Sequence, residues 1–77
     1  MCLAIPAKIL SVGDDRVAET DILGVRRTVA LDLVPHAQVG DFILVHAGYG
    51  IEVVSEEFAN ETLDLIREFP ELAAEGM

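Results

Sequence analysis

One cysteine and two histidines are the residues of this 77-residue chain whose side chains best suit soft-metal binding or nucleophilic chemistry. Cys2 stands second in the sequence, where a thiol can be exposed because chain ends are often poorly packed. An exposed thiolate binds soft metals or exchanges disulfides. Alternatively, Cys2 packs against the fold as a small hydrophobic side chain. The residue type alone leaves both interpretations open.

His46 lies in the apolar segment FILVHAG, just before a Gly-Tyr-Gly stretch at residues 48–50. On a regular strand it shares a face with Phe42 and Leu44, which is typical of a histidine satisfied within a core. Its position at a strand end, beside glycines that allow close backbone approach by a partner, favours a functional role. The second histidine, His36, falls in a loop and is predicted to be solvated.

Cys2 and His46 together supply at most two protein ligands, whereas a structural metal site usually has four. The chain is therefore not expected to enclose a metal ion by itself. It can hold one side of a metal fragment that brings its own ligands, or share a site with a second protein. A nucleophile–base pair of the same two residues is the enzymatic alternative, but no third group and no substrate cleft are evident.

The elements that must position these residues are predicted to be five short strands followed by one helix. Turn signals, period-2 alternation over residues 25–33 and a nearly continuous apolar run over 42–47 predict the strands. They are placed at residues 7–12, 17–22, 25–33, 42–47 and 51–54, with residues 48–50 as an interruption. The helix has Ser55 as its N-cap and ends at or before Phe69, because Pro70 follows. A stripe at helical spacing is expected to face the core: Phe58, Thr62, Leu65, Ile66 and Phe69.

These elements predict a single, mainly β domain over residues 1–77, since closing five short strands into a barrel hides their edges. The barrel is expected to extend to residue 54, with residues 1–5 as an extended arm leading into it. The C-terminal helix covers residues 55–69, and residues 70–77 form a tail.

Fourteen acidic against five basic residues give a net charge of −9, which excludes the basic footprint of a nucleic-acid-binding protein and disfavours anionic membranes. No apolar run reaches the roughly 20 residues of a membrane span, and no signal peptide is evident. A single cysteine fits a reducing compartment. The chain is expected to be cytoplasmic, with self-association possible because so small a domain has a thin core.

Three segments together resemble the HypC/HupF/HybG family of hydrogenase maturation chaperones: MCLAIP at residues 1–6, GVRR at 24–27 and VGDFILVHAGYGI at 39–51. The order of the segments and the acidic helix EEFANETLDLIRE are also similar to that family, over roughly residues 1–69. The resemblance implies an OB-like β-barrel of about five strands with a C-terminal α-helix. It also implies a non-enzymatic role in assembling the active site of nickel-iron hydrogenases.

The resemblance implies two protein partners and one cargo. The partners are a HypD-type scaffold protein and the precursor of the hydrogenase large subunit. The cargo is an iron fragment, Fe(CN)2CO, which is carried transiently rather than bound permanently. The family's essential cysteine maps onto Cys2 and its motif histidine onto His46, so both are expected to be metal-binding residues.

The expected partner-binding surface combines the arm with the Gly-Tyr-Gly stretch, because exposed apolar groups flank both candidate metal-binding residues. Its members are Cys2, Leu3, Ala4, Ile5, Pro6, Gly48, Tyr49 and Gly50. Two alternatives are a small Cys/His thiol enzyme and a plain protein-binding module that carries no iron.

Overall fold

The structure is a computed structural model that describes residues 4–69. This part of the chain forms five β-strands followed by one α-helix. The strands are β1 (Ile5–Val12), β2 (Val17–Ile22), β3 (Val25–Ala30), β4 (Phe42–His46) and β5 (Tyr49–Val54), and the helix is α1 (Glu56–Glu68). The tail predicted at residues 70–77 lies outside the described residues.

The strands form a closed barrel in the order β1-β2-β3-β5-β4, and β4 pairs with β1 to complete the ring. Four of the neighbouring pairs are antiparallel, whereas β3 and β5 run parallel and pair only at Ala30 and Tyr49. Closure leaves few strand edges exposed, which matters for a sheet this small. The predicted mainly β, OB-like barrel with a C-terminal helix is confirmed.

Two hairpins of the barrel use the same two-residue turn. Leu23 and Gly24 connect β2 to β3 with φ angles of 53° and 86°, and Ala47 and Gly48 connect β4 to β5 with 54° and 86°. Positive φ at both positions characterises the type I′ turn, whose twist matches that of the flanking strands. The interruption predicted at residues 48–50 is therefore wrong: the chain turns one residue earlier, and β5 already begins at Tyr49.

Strand direction and register bring both of these turns to one end of the barrel. Ile5, the first residue of β1, pairs with Val45 near the end of β4, and Lys8 pairs with Asp21 near the end of β2. We call this the open end, defined by residues 4–5 and the turns at 23–24 and 47–48. The opposite end, formed by the turn at 13–16 and the segment 31–41, is called the sealed end.

Apolar side chains from the segment 31–41 fill the sealed end. Leu31, Val34 and Ala37 have exposed fractions of 0%, 2% and 6%, so the segment contributes to the same core as the strands. The chain turns after Leu31, whose carbonyl accepts a hydrogen bond from the Val34 amide at 3.0 Å. The prediction that β3 continues to Leu33 is wrong for this reason: β3 ends at Ala30, and Leu33 is 63% exposed.

Backbone hydrogen bonds fix the segment 31–41 to the turn at 13–16 and to β1. The Leu31 amide donates to the Arg16 carbonyl at 2.9 Å, and the Arg16 guanidinium donates to the Pro35 carbonyl. Farther along, the Ile9 amide donates to the Asp41 carbonyl at 2.9 Å. The segment is therefore an integral part of the fold rather than a loose loop.

Helix α1 packs against β1 and β4 through a row of small and branched side chains: Ala59, Leu63 and Ile66. Ser55 is the N-cap, as predicted; its hydroxyl accepts a hydrogen bond from the Phe58 amide at 3.1 Å. The C-cap is Phe69, which agrees with termination before Pro70. Within residues 4–69, no helix has the length and apolar character needed to cross a membrane.

The predicted core-facing stripe of α1 is wrong in most of its members. Only Ile66 is buried, whereas Phe58, Leu65 and Phe69 have exposed fractions of 48%, 51% and 48%. The apolar surface of the helix is wider than its contact with the barrel. The small Ala59 side chain, which is fully buried, lies at that contact in place of Phe58, so the helix is rotated relative to the prediction.

Candidate functional site

His46 is the last residue of β4 and lies at the open end of the barrel. Along β4, Ile43 and Val45 are buried, while the alternate positions carrying Phe42, Leu44 and His46 are half-buried on the other face. The predicted face of His46 is thus confirmed, and its imidazole lies outside the barrel core. Among the side-chain hydrogen bonds within residues 4–69, none involves this ring.

The turn at 47–48 holds His46 beside Tyr49. These two residues pair directly across β4 and β5, and side chains at paired positions of antiparallel strands are close neighbours. The Gly48 carbonyl accepts a hydrogen bond from the Ala30 amide at 3.0 Å, which fixes the turn to the end of β3. Tyr49 is 51% exposed, so a partner can contact it without rearranging the barrel.

The start of β1 lies directly beside the end of β4, but it is not an exposed arm. Ile5 pairs with Val45 and is 1% exposed, and Pro6 is also fully buried. The prediction that Ile5 belongs to an extended arm is therefore wrong, because β1 begins there and its side chain fills the core. Ala4, which is half-buried, is the first described residue.

Cys2 and Leu3, two of the predicted site residues, lie outside the described residues. Cys2 precedes Ala4 by two residues in the sequence.

Gly50, another predicted partner-binding residue, packs against the core of the barrel. It is buried, and a Cβ atom added there would lie 3.0 Å from Ile43 Cδ1 and 3.3 Å from Val34 Cγ2. Its lack of a side chain lets β5 pack closely on the core. Gly48, in contrast, is exposed and has open space around it.

A cavity of about 220 Å³ opens into the barrel at this end, lined by Ile22, Arg27, Val45 and Gly48. Arg27 pairs with the buried Thr20, whose hydroxyl donates to the Arg27 carbonyl at 2.9 Å. Arg27 therefore occupies an inward-facing position of β3, where the wall between β3 and β5 has a single residue pair. It brings a cation to the rim of an otherwise apolar cavity.

Sequence reasoning placed Arg27 in the GVRR segment but assigned it no role. The available signal was its spacing: Arg27, Val29 and Leu31 are two residues apart, and every second residue of a strand lies on the same face. Val29 and Leu31 are core residues, so Arg27 is expected on the core face. An arginine on the apolar face of a strand indicates either an edge or an opening. His36, by contrast, is exposed at the sealed end, as predicted.

A larger cavity of about 390 Å³ lies between α1 and the outer side of β1 and β2. Lys8, Asp21, Asn60 and Arg67 provide its polar groups. None of the predicted site residues lines it, although it reaches Leu23 and Gly24 in one of the turns of the open end. Within residues 4–69, no three His, Cys, Asp or Glu side chains are grouped closely enough to hold a metal ion.

Comparison with known proteins gives a consistent result over nearly the whole chain. A sequence model of the HupF/HypC family matches residues 1–66. The chain is 44% identical over 68 residues to hydrogenase maturation factor HypC of Cupriavidus necator, covering 88% of this chain and 76% of that protein. It is 44% identical over 66 residues to HypC of Helicobacter hepaticus, covering 84% and 77%. Hydrogenase maturation factor HybG of Escherichia coli is 32% identical over 74 residues, covering 88% and 90%.

Proposed function

This chain belongs to the HupF/HypC family of hydrogenase maturation factors, and we propose that it is a maturation chaperone that carries iron between two proteins. It takes up an Fe(CN)2CO fragment on a HypD-type scaffold and delivers the fragment to the precursor of a nickel-iron hydrogenase large subunit. It does so without turnover of its own, and it works in the cytoplasm. The fragment is its cargo and not a resident cofactor.

The observation that carries this proposal is the position of His46 at the open end, beside the start of β1. His46 is the last residue of β4, and its neighbour Val45 pairs with Ile5, the first residue of β1. In the sequence, Cys2 stands two residues before Ala4. The family match, over residues 1–66, includes both Cys2 and His46. A thiolate is a suitable ligand for iron that carries strong-field ligands such as cyanide and carbon monoxide. An imidazole supplies either a nitrogen ligand or a hydrogen bond.

The proposed transfer is a ligand exchange on the iron. A Cys2 sulfur–iron bond forms as a scaffold–iron bond breaks, and a ligand of the precursor later displaces the Cys2 sulfur. The cyanide and carbonyl groups remain on the iron throughout, and no electron is exchanged. Two protein ligands form an incomplete site, which releases metal more readily than a closed set of four.

The partner surface in this proposal is narrower than the sequence alone indicates. Ala4, Gly48 and Tyr49 are accessible at the open end, whereas Ile5 and Gly50 support them from the core. Truncating Tyr49 to alanine is expected to weaken binding of the scaffold by more than about 1 kcal/mol, in the range of interface hot spots. An unchanged affinity would remove Tyr49 from the surface.

Infrared spectroscopy tests the carriage of iron directly, because cyanide and carbonyl stretches absorb where proteins are otherwise silent. The protein is purified without oxygen after co-expression with its maturation partners, as wild type, Cys2→Ala and His36→Ala. We expect the bands in wild type and His36→Ala and their loss in Cys2→Ala. If all three lack the bands while scaffold binding is intact, the protein is a binding module and the iron stays on the scaffold.

Complementation separates this proposal from a purely packing role of the thiol. In a strain lacking the native protein, Cys2→Ala is expected to abolish hydrogenase maturation, and full maturation would contradict thiol transfer. For the thiol-enzyme alternative, the rate of Cys2 alkylation is measured against pH. A thiol pKa near the free-cysteine value of about 8.5 argues against an activated nucleophile.

A further inference from the structure

Two parallel rows of side chains follow the solvent-facing side of α1. The apolar row comprises Phe58, Thr62, Leu65 and Phe69, and the acidic row comprises Glu57, Glu61, Asp64 and Glu68. In both rows the members are 4, 3 and 4 residues apart, the spacing that keeps side chains on one line of a helix. We call the eight residues together the α1 outer face.

The barrel does not cover the apolar row. Ala59, Leu63 and Ile66 form the contact with β1 and β4, whereas Phe58, Leu65 and Phe69 are each about half exposed. The Thr62 hydroxyl donates to the Phe58 carbonyl at 3.0 Å, so its polar group is satisfied within the helix. Two of the three phenylalanines of the chain, one in α1 and one at its C-cap, are therefore on the surface. Contiguous exposed apolar side chains of this kind mark interaction sites.

The acidic row favours a partner of positive charge. All four of its carboxylate side chains are exposed, and within residues 4–69 only Asp64 has an ion-pair partner, Arg67 at 2.8 Å. A second copy of this chain would place acidic rows against each other in a protein of net charge −9. Anionic lipid is disfavoured for the same reason. A segment with lysine or arginine beside its apolar side chains has complementary charge.

We propose that the α1 outer face docks an amphipathic helix of a partner protein, with an apolar row against Phe58, Leu65 and Phe69 and a basic row against the carboxylates. This surface is additional to the open end and does not depend on iron transfer. The helix runs toward that end, because Arg67 in its last turn lines a cavity with Leu23 and Gly24. A partner docked on α1 is thus held beside the open end.

Binding of designed peptides to the ¹⁵N-labelled protein tests this proposal by NMR. The probe is a helical peptide of about 18 residues, ~27 Å long, with leucines spaced to match the apolar row and lysines beside them. The matched peptide carries glutamate in place of each lysine. We expect the lysine peptide to shift the amides of residues 57–69 and to bind at least ~10-fold more tightly than the glutamate peptide.

Substitutions at two exposed leucines distinguish docking from general attraction to an acidic protein. Leu65→Ser leaves the net charge unchanged and is expected to weaken the lysine peptide by ~10-fold or more. The control, Leu33→Ser, alters a leucine that is 63% exposed at the sealed end and is expected to leave the affinity unchanged. Phe58→Ser serves as a second variant, and thermal melting verifies that each one folds.

Three outcomes would overturn the proposal. Equal affinities for the lysine and glutamate peptides would contradict the proposal that the partner helix is basic. Amide shifts centred on the open end or on the cavity beside Lys8 would move the docking surface elsewhere. Concentration-dependent shifts of residues 57–69 without peptide would show that a second copy of the chain covers the helix. All three are independent of the infrared and maturation assays, so failure here leaves the iron-carrier proposal in place.

Discussion

The sealed end and the open end of the barrel are built differently, although the same five strands lead to both. At the sealed end, the segment 31–41 inserts Leu31, Val34 and Ala37 into the core and is fixed by backbone hydrogen bonds. At the open end, two-residue turns connect the strands and leave His46 half-buried and Tyr49 exposed. Arg27 lies at the rim of a cavity there.

Together with the function proposed for the open end, this difference predicts a division between stability and function within one small domain. A barrel of this size has little apolar surface to bury, so filling one end with side chains contributes a large share of its core. The other end can then present short, rigid turns whose side chains contribute little to stability. Binding residues held on short connections of a rigid scaffold are the usual arrangement in proteins. The free energy of unfolding should therefore respond strongly to changes at the sealed end and weakly at the open end.

Truncating the filling of the sealed end should have the largest effect. Leu31→Ala is expected to lower the free energy of unfolding by about 2–5 kcal/mol, because Leu31 is fully buried and its loss leaves a cavity. Leu33→Ala, two residues away and 63% exposed, should change it by less than about 0.5 kcal/mol. Urea denaturation measures both. Similar losses in the two variants would contradict the division.

Filling the space at Gly50 should have an intermediate effect. Gly50→Ala adds a Cβ atom 3.0 Å from Ile43 Cδ1 and 3.3 Å from Val34 Cγ2, so the free energy of unfolding should fall by about 1–3 kcal/mol. Combining it with Ile43→Val, which removes Cδ1, should destabilise less than the sum of the single changes. Strict additivity in this double-mutant cycle would mean that the Ile43 contact is not the source of the strain.

Relieving the turn at the open end should stabilise the protein slightly. Ala47 has a φ of 54°, and this left-handed conformation costs an alanine roughly 1–2 kcal/mol. Replacing it with glycine removes that cost, but glycine loses more conformational entropy on folding, which offsets about half of the gain. Ala47→Gly should therefore raise the free energy of unfolding by about 0.5–1 kcal/mol. Leu23→Gly has the same backbone conformation but loses a side chain packed on the core, so it should not stabilise. Destabilisation by Ala47→Gly would show that the turn carries no strain.

Much of the fold could be predicted because local signals agree with the tertiary structure. The face that His46 shares with Phe42 and Leu44, the N-cap Ser55 and the stop before Pro70 all stand as predicted. Two features could not be read locally. The alternation of Leu31 and Leu33 continues after the chain has left the sheet. On α1, two rows of side chains have a spacing compatible with a core-facing side, one beginning at Phe58 and one at Ala59. Only the packing of the helix on the barrel determines that the row beginning at Ala59 is the buried one.

The candidate site was predictable to a similar extent. Residue chemistry and family resemblance single out Cys2 and His46, and the structure puts His46 at the end where β1 begins. The prediction that Ile5 is exposed was wrong, because its side chain is buried in the core. Pro6 indicates where a strand starts, but it does not determine whether the preceding side chain is buried. Arg27 was missed because an arginine within a strand normally indicates a solvent-facing position, and the opening in the wall depends on the sparse pairing of β3 with β5.

Replacing His46 should have the smallest effect on stability and, at the same time, a clear effect on function. His46→Ala is expected to change the free energy of unfolding by less than about 0.5 kcal/mol, since the ring is half-buried outside the core. Hydrogenase maturation should fall by about 10–100-fold if the imidazole binds or orients the iron fragment.

His46→Gln separates the two roles, because an amide can replace a hydrogen bond but is a poor iron ligand. Restored maturation in His46→Gln would assign the hydrogen bond, whereas continued loss would assign ligation. His36→Ala is the matched control at the sealed end and should change neither quantity. A large loss of stability in His46→Ala would contradict the division between the two ends, because it would make the open end part of the structural core.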